Sequence, residues 1–362
     1  MDKTGKRYGE ADILRVVILS FLPLVHCYEE FHDRGYLSAA AMEKERIWLF
    51  LCLFGPSVFM TALGMNLAFS SHASPGELVR RGARTAGAGI LLNLLRYILP
   101  AAVISFVMGR SFLGEALELS LRSDILYFAA LAFLFFAWMK KRNVPPWGTL
   151  LIALALLSIH TLFAPESREE GYLTSFLGNF VHVTDTSAFP VLTWLCYPAL
   201  GYVLGTYRRT LTEAAAGRFY LRLCLLCAAF LLVLCVTMAQ YGIDYLTAAA
   251  SPLRGYETDL FAFLLDSCVV GLCLAAAFLI HRLTEKRMPG LRRLVLSMSR
   301  GILVFYMVQW ILVGWTEYLL LPSAHRRDPL EPWEVFLVGV GIYLVSAAVT
   351  LLTERIRKRE KT

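Results

Sequence analysis

The stretch ADILRVVILSFLPLVHC, residues 11–27, sets Asp12, Arg15 and His26 in an otherwise apolar run. Ionisable groups in such a run carry a desolvation cost and mark function by default. At 100° per residue Arg15 shares a face with Asp12, and His26 falls about 40° off the same line. His26 lies about 21 Å from Asp12 along the helix axis. An imidazole titrates near neutral pH and can take or give a proton; an aspartate and an arginine can tie helices together. The plainest arrangement is therefore an Asp–Arg tie with a histidine at the membrane interface.

Other residues also have types suited to chemistry. Arg80, Arg81 and Arg84 cluster ahead of an apolar segment. Guanidinium forks match phosphate oxygens, though a cluster of this kind equally sets membrane topology. Lys140, Lys141 and Arg142 read as a topology signal. His182 and Asp185, in FVHVTDTSAFP, could bind sugar hydroxyls from a loop. Asp266 and Glu317 are acids within or near apolar segments, and Asp266 could pair with Arg222 or Arg96. His160 reads as an interfacial side chain. CLLC at 224–227 has metal-like spacing but no second ligand pair, so it reads as apolar filler and no metal is expected.

The elements that must position these residues are membrane helices. Of the 362 residues 57% are hydrophobic and 17% charged, against about 25% charged in soluble domains. Spanning the hydrocarbon takes roughly 20 apolar residues. Ten segments qualify: 11–31, 47–71, 85–108, 124–140, 147–164, 188–207, 219–239, 260–281, 301–321 and 334–353. Between the third and fourth, SFLGEALELSLRS reads as an amphipathic surface stretch. The expectation is an all-α polytopic membrane protein, residues 1–362 forming one domain. The first segment lacks a small-residue cleavage site and is not read as a cleavable signal peptide.

Sorting basic residues by loop gives the orientation. Alternate connections and both ends hold 23 Lys and Arg, the five opposite loops hold nine, and three lie within spans. This asymmetry predicts both termini in the cytoplasm. The net charge of +7 is thus a topology signal and excludes a nucleic-acid patch.

The motifs, taken in order, resemble those of the membrane-bound type-3 acyltransferases and of the related heparan-α-glucosaminide N-acetyltransferase group. Asp12-x-x-Arg15 followed by His26 is similar to the opening motif. FGPSVFMTALGMNLAFSS resembles the aromatic second span, and RRGARTAGAGILLNLLRY carries Arg81 and Arg84 at the mouth of the third. AFPVLTWLCYPALGYVLG is similar to a span of the heparan-type group, and SRGILVFYMVQW to the late span with a Tyr-x-x-His or Tyr-x-x-Gln ending, here Tyr306 and Gln309. The chain departs from the pattern at Val16, where a glycine is usual, at Leu63-Gly64 for a Ser-Gly pair, and at Gln309 for a late histidine.

The resemblance implies a ten-helix cell-membrane enzyme that moves an acyl group, acetyl in the first instance, from cytoplasmic acyl-CoA to an extracytoplasmic acceptor. The acceptor would be a glycan or small molecule presenting a hydroxyl or amine. His26 would be the general base or would carry the acyl group. Asp12 and Arg15 would line the donor's path, and Arg80, Arg81 and Arg84 would hold the CoA phosphates. His182, Asp185, Tyr306 and Gln309 would meet the acceptor. The surrounding partner is membrane lipid, and a homo-oligomer is compatible with this reading. The alternative is a non-enzymatic polytopic protein, either a transporter of a small anion or glycan or a degenerate family member. The prolines in the spans show no symmetric pairing of broken helices, the pattern a transporter would favour.

Overall fold

The computed structural model describes residues 8–33, 46–70, 73–109, 111–163, 180–181, 188–241, 258–320 and 330–360, and every regular element among them is a helix. In chain order these are α1 (Gly9–Tyr28), α2 (Arg46–Phe69), α3 (Pro75–Asn93), α4 (Leu99–Met108), α5 (Leu113–Leu119), α6 (Ile125–Lys141) and α7 (Pro146–Phe163). There follow α8 (Val191–Trp194), α9 (Cys196–Thr210), α10 (Glu213–Gln240), α11 (Leu260–Arg287), α12 (Pro289–Arg300), α13 (Ile302–Leu320) and α14 (Pro332–Arg359). Two π-helical turns interrupt the pattern: Glu29–Asp33 extends α1, and Leu94–Ile98 joins α3 to α4.

Apolar runs become helices because a backbone without water must satisfy its own N–H and C=O groups. Polar residues set several of the starts. Asp124 caps α6 by accepting from the Leu126 amide at 2.9 Å. Ser74 and Glu77 form a reciprocal box at the head of α3, and Glu331 and Glu334 do the same for α14.

The described residues of the ten expected segments are largely helical. Six helices are long and apolar enough to cross a membrane: Gly9–His32, Pro75–Met108, Glu213–Gln240, Leu260–Glu285, Ile302–Leu319 and Pro332–Arg359. Phe54–Phe69 and Pro146–His160 are shorter apolar helices. The third expected segment, 85–108, is part of a helix that starts ten residues earlier at Pro75. Its 34 residues reach about 51 Å at 1.5 Å each, well beyond the hydrocarbon thickness. Arg80, Arg81 and Arg84 sit on that extension. The sixth expected segment is split at Leu195 into α8 and α9. The expected surface stretch contains α5, and α12 lies between the eighth and ninth expected segments.

The chain clusters into two compact units: Met1–Leu14, Cys52–Gly89 and Ser123–Leu283 form one, and Arg15–Leu51, Ile90–Arg122 and Thr284–Thr362 the other. In the first, Met60, Phe128, Leu150, Leu157, Trp194 and Tyr197 share a buried core. Backbones of α2 and α9 meet closely there. A Cβ on Gly64 would run into the Pro198 carbonyl, and one on Gly201 into the Thr61 carbonyl. Small residues at helix crossings permit this approach where lipid supplies no hydrophobic drive. In the second unit Leu19, Met298 and Phe305 form one buried cluster, and Tyr97, Ala101 and Ala116 another.

Candidate functional site

His26 occupies the last turn of α1 and is 9% exposed. The π turn after it is anchored to the segment leading into α14. The Leu330 amide donates to the Phe31 carbonyl at 2.9 Å, and His32 Nδ1 donates to the Leu330 carbonyl at 2.6 Å. This anchoring holds the end of α1 in place beside α13.

Helix α13 supplies the nearest partners. His26 Nδ1 lies 3.0 Å from Gln309 Oε1. An amide oxygen only accepts, so Nδ1 carries the hydrogen and Nε2 presents the lone pair of the neutral ring. Trp310 stacks on the imidazole with ring centroids 3.8 Å apart and planes at 20°. Tyr306, one turn back, sits edge-on to both rings with centroids 6.5 Å away.

The Leu94–Ile98 π turn brings the charge. Arg96, 5% exposed, holds its Cζ 3.5 Å from the Trp310 ring centroid. Two groups this close to one indole cannot share a face. His26 and Arg96 therefore lie on opposite sides of Trp310, giving an imidazole–indole–guanidinium stack. Arg96 also donates to Glu30 Oε1 at 2.7 Å, and Arg122 approaches that oxygen at 4.0 Å. Gly314 leaves the necessary room, since a Cβ there would meet the Arg96 side chain and its carbonyl. A π turn inside a long helix often marks a functional position, and here it carries the buried cation.

Of the residues singled out from sequence, His26, Tyr306 and Gln309 come together. Gln309, expected at the acceptor, is bonded to the histidine itself. Asp12 is buried in the first unit, and Arg15 is half-buried in the second. His182 and Asp185 lie outside the described residues. Neither Glu30 nor Trp310 stands out in the sequence, and Arg96 does so only as a candidate partner of Asp266, although an arginine within an apolar span was a usable signal. Asp266 accepts from the Tyr197 hydroxyl at 2.6 Å, and Arg96 pairs with Glu30. A buried phenol thus meets the Asp266 carboxylate without desolvating a second charge, where an arginine, Arg222 or Arg96, was the expected partner.

The basic cluster before the third expected segment is not uniform in its surroundings. Arg80 and Arg84 are exposed, while Arg81 is half-buried and donates to Ser70 Oγ at 3.2 Å. Around the same connection Lys140 donates to the Ala73 carbonyl at 3.0 Å and Arg209 to the Ala68 carbonyl at 2.9 Å. Lys140 lies within electrostatic range of both Arg81 and Arg209. Three cations from three helices thus reach Ala68, Ser70 and Ala73.

A family model described as heparan-alpha-glucosaminide N-acetyltransferase, catalytic, matches residues 7–233, more than half of the chain. No curated protein and no solved structure matches it. The matched region contains Asp12, Arg15, His26, Glu30, the Arg80–Arg84 cluster, Arg96 and Lys140, while Gln309 and Trp310 lie beyond it. With apolar helices on both sides of that boundary, this is a multi-pass membrane protein that belongs to the heparan-α-glucosaminide N-acetyltransferase catalytic family.

Proposed function

We propose that the protein transfers an acetyl group from cytoplasmic acetyl-CoA to a hydroxyl or amine of an extracytoplasmic glycan or related acceptor, with His26 as general base. This places it in the wider group of membrane-bound type-3 acyltransferases, with ten spans, both termini in the cytoplasm and the cell membrane as its site. The single observation that carries the reading is the hydrogen bond from His26 Nδ1 to Gln309 Oε1. It leaves Nε2 as the basic atom of a buried ring.

In the reaction His26 Nε2 takes the proton from the acceptor's O–H or N–H as that atom attacks the thioester carbonyl carbon. The new C–O or C–N bond forms and the carbonyl π pair moves onto oxygen. Collapse of this tetrahedral centre breaks the C–S bond, and the imidazolium returns its proton to the departing thiolate. The imidazole suits both steps because its ordinary pKa, near 6.5, lies close to working pH. Arg80, Arg81 and Arg84, joined by Lys140 and Arg209, hold the donor's phosphates. Asp12 and Arg15 line the donor's path, and His182, Asp185 and Tyr306 meet the acceptor.

Purified protein in lipid nanodiscs should transfer label from acetyl-CoA to an amino-sugar acceptor with release of free thiol. His26→Ala should fold as the wild type does and lose about 10²–10⁴ in rate. Near wild-type transfer by a folded His26→Ala protein would exclude this mechanism.

A further inference from the structure

Between the spans Leu260–Glu285 and Ile302–Leu319 the chain forms a separate helix, α12. Pro289 has no amide hydrogen with which to continue α11, and Met288 before it leaves helical geometry at φ −136° and ψ 66°. The chain therefore bends at Met288 and starts a new helix. Leu291, Leu294, Val295 and Met298 recur at i, i+3, i+4 and i+7, which puts them on one face about 100° wide. Arg293, Ser297 and Arg300 lie on the opposite face, and Arg292 borders the apolar one.

The protein covers only one end of that apolar face. Met298 is 4% exposed and shares a buried cluster with Leu19 and Phe305. Gly301, just beyond the helix, is pressed against α14, where a Cβ would meet the Thr350 side chain. Earlier along the same face Leu291 and Leu294 are 38% and 46% exposed, and Met288 ahead of them is exposed as well. Leu296, outside the apolar face, is half-buried. Arg287, Arg292, Arg293 and Arg300 are all exposed, and Arg292 approaches Glu285 at 3.7 Å. The C-terminal end of α12 is thus docked, and its N-terminal half presents leucines and arginines together at the surface.

We propose that α12 is a binding surface for anionic phospholipid, with Leu291 and Leu294 at the acyl boundary and Arg292 and Arg293 on the headgroup phosphates. A helix followed and preceded by membrane spans stays at the bilayer surface, so lipid is the neighbour its exposed leucines meet. Burying them there removes apolar area from water that the protein itself leaves uncovered. Guanidinium forks match phosphodiester oxygens, and several arginines beside one glutamate favour acidic headgroups over zwitterionic ones. The leucines set the depth of the helix, and the arginines set the class of lipid beside it. This role is independent of acyl transfer at His26.

A fluorophore on the helix reads its lipid neighbours locally. The full-length Leu294→Cys protein is labelled with bimane and reconstituted in vesicles of equal parts phosphatidylcholine and phosphatidylglycerol, with identically treated wild type as the blank. Either lipid, brominated on its acyl chains, should quench the label. One arginine close to an anionic surface changes association about five-fold, so phosphatidylglycerol should be favoured beside the label by about that factor or more. Arg292→Gln combined with Arg293→Gln should bring the ratio of the two lipids toward one, while quenching by phosphatidylcholine persists. No quenching by either lipid would mean that the leucines do not reach the bilayer. An even ratio with both arginines present, or a preference that survives their loss, would mean that they do not select the headgroup. Each of these results overturns the proposal. Should the Leu294→Cys protein fail to fold, Leu291→Cys carries the label instead.

Discussion

At the scale of single residues, the Arg96–Glu30 pair sets the stability of the site. Arg96 is almost wholly buried and Glu30 is about one-fifth exposed, at 2.7 Å. Desolvating two charges consumes much of their attraction, so the pair contributes little against an apolar replacement. Removing one partner is different, because the other is left buried and unpaired. Glu30→Gln should therefore cost about 2–4 kcal/mol, below the upper end for a fully buried pair because Glu30 keeps some solvent. Thermal unfolding in detergent checks it. A melting temperature unchanged from wild type would show that burying Arg96 does not depend on the Glu30 carboxylate.

At the scale of elements, glycine positions distinguish close helix contact from open helix surface. Gly201 faces the Thr61 carbonyl of α2, and Gly64 faces the Pro198 carbonyl of α9. Gly201→Ala forces these backbones apart and should destabilise by about 1–3 kcal/mol. Gly87, in α3, has nothing within 4 Å of a Cβ. There alanine removes helix-propensity cost and should stabilise by about 0.5–1 kcal/mol. The two variants should shift the melting temperature in opposite directions. Equal shifts would mean that the α2–α9 approach does not matter to stability. The sequence resemblance drew attention to Leu63-Gly64, and the packing supplies a physical reason for the glycine.

At the scale of the molecule, the proposal gives the basic residues two tasks, setting topology and binding the donor. The sequence groups Arg80, Arg81 and Arg84 because they are neighbours along the chain. The fold groups Arg81 with Lys140 and Arg209 around Ala68, Ser70 and Ala73. Each charged phosphate contact contributes roughly 1.5–3 kcal/mol, so Arg81→Ala, Lys140→Ala and Arg209→Ala should each raise the donor's Kd about ten-fold or more. Arg80→Ala, at an exposed position, should change it less. Titration of CoA into the detergent-solubilised protein measures this order. Equal losses at all four positions would favour a diffuse electrostatic effect over the convergent site.

The sequence alone determined that the chain is helical and apolar, because long runs such as those at 219–239 and 260–281 cannot leave backbone groups unbonded in lipid. It also singled out His26, since an ionisable side chain in such a run stands out by cost alone. Helical periodicity orders residues around one helix and says nothing about which helix lies opposite. Gln309, 283 residues from His26, and Glu30, 66 residues from Arg96, became partners only through tertiary packing. The same limit explains Asp266, for which charge matching suggested an arginine and packing supplied Tyr197. The tautomer of His26 and the stack through Trp310 were decided by the approach of α13 to the end of α1, where side chains with no polar partner in sequence meet at hydrogen-bonding distance.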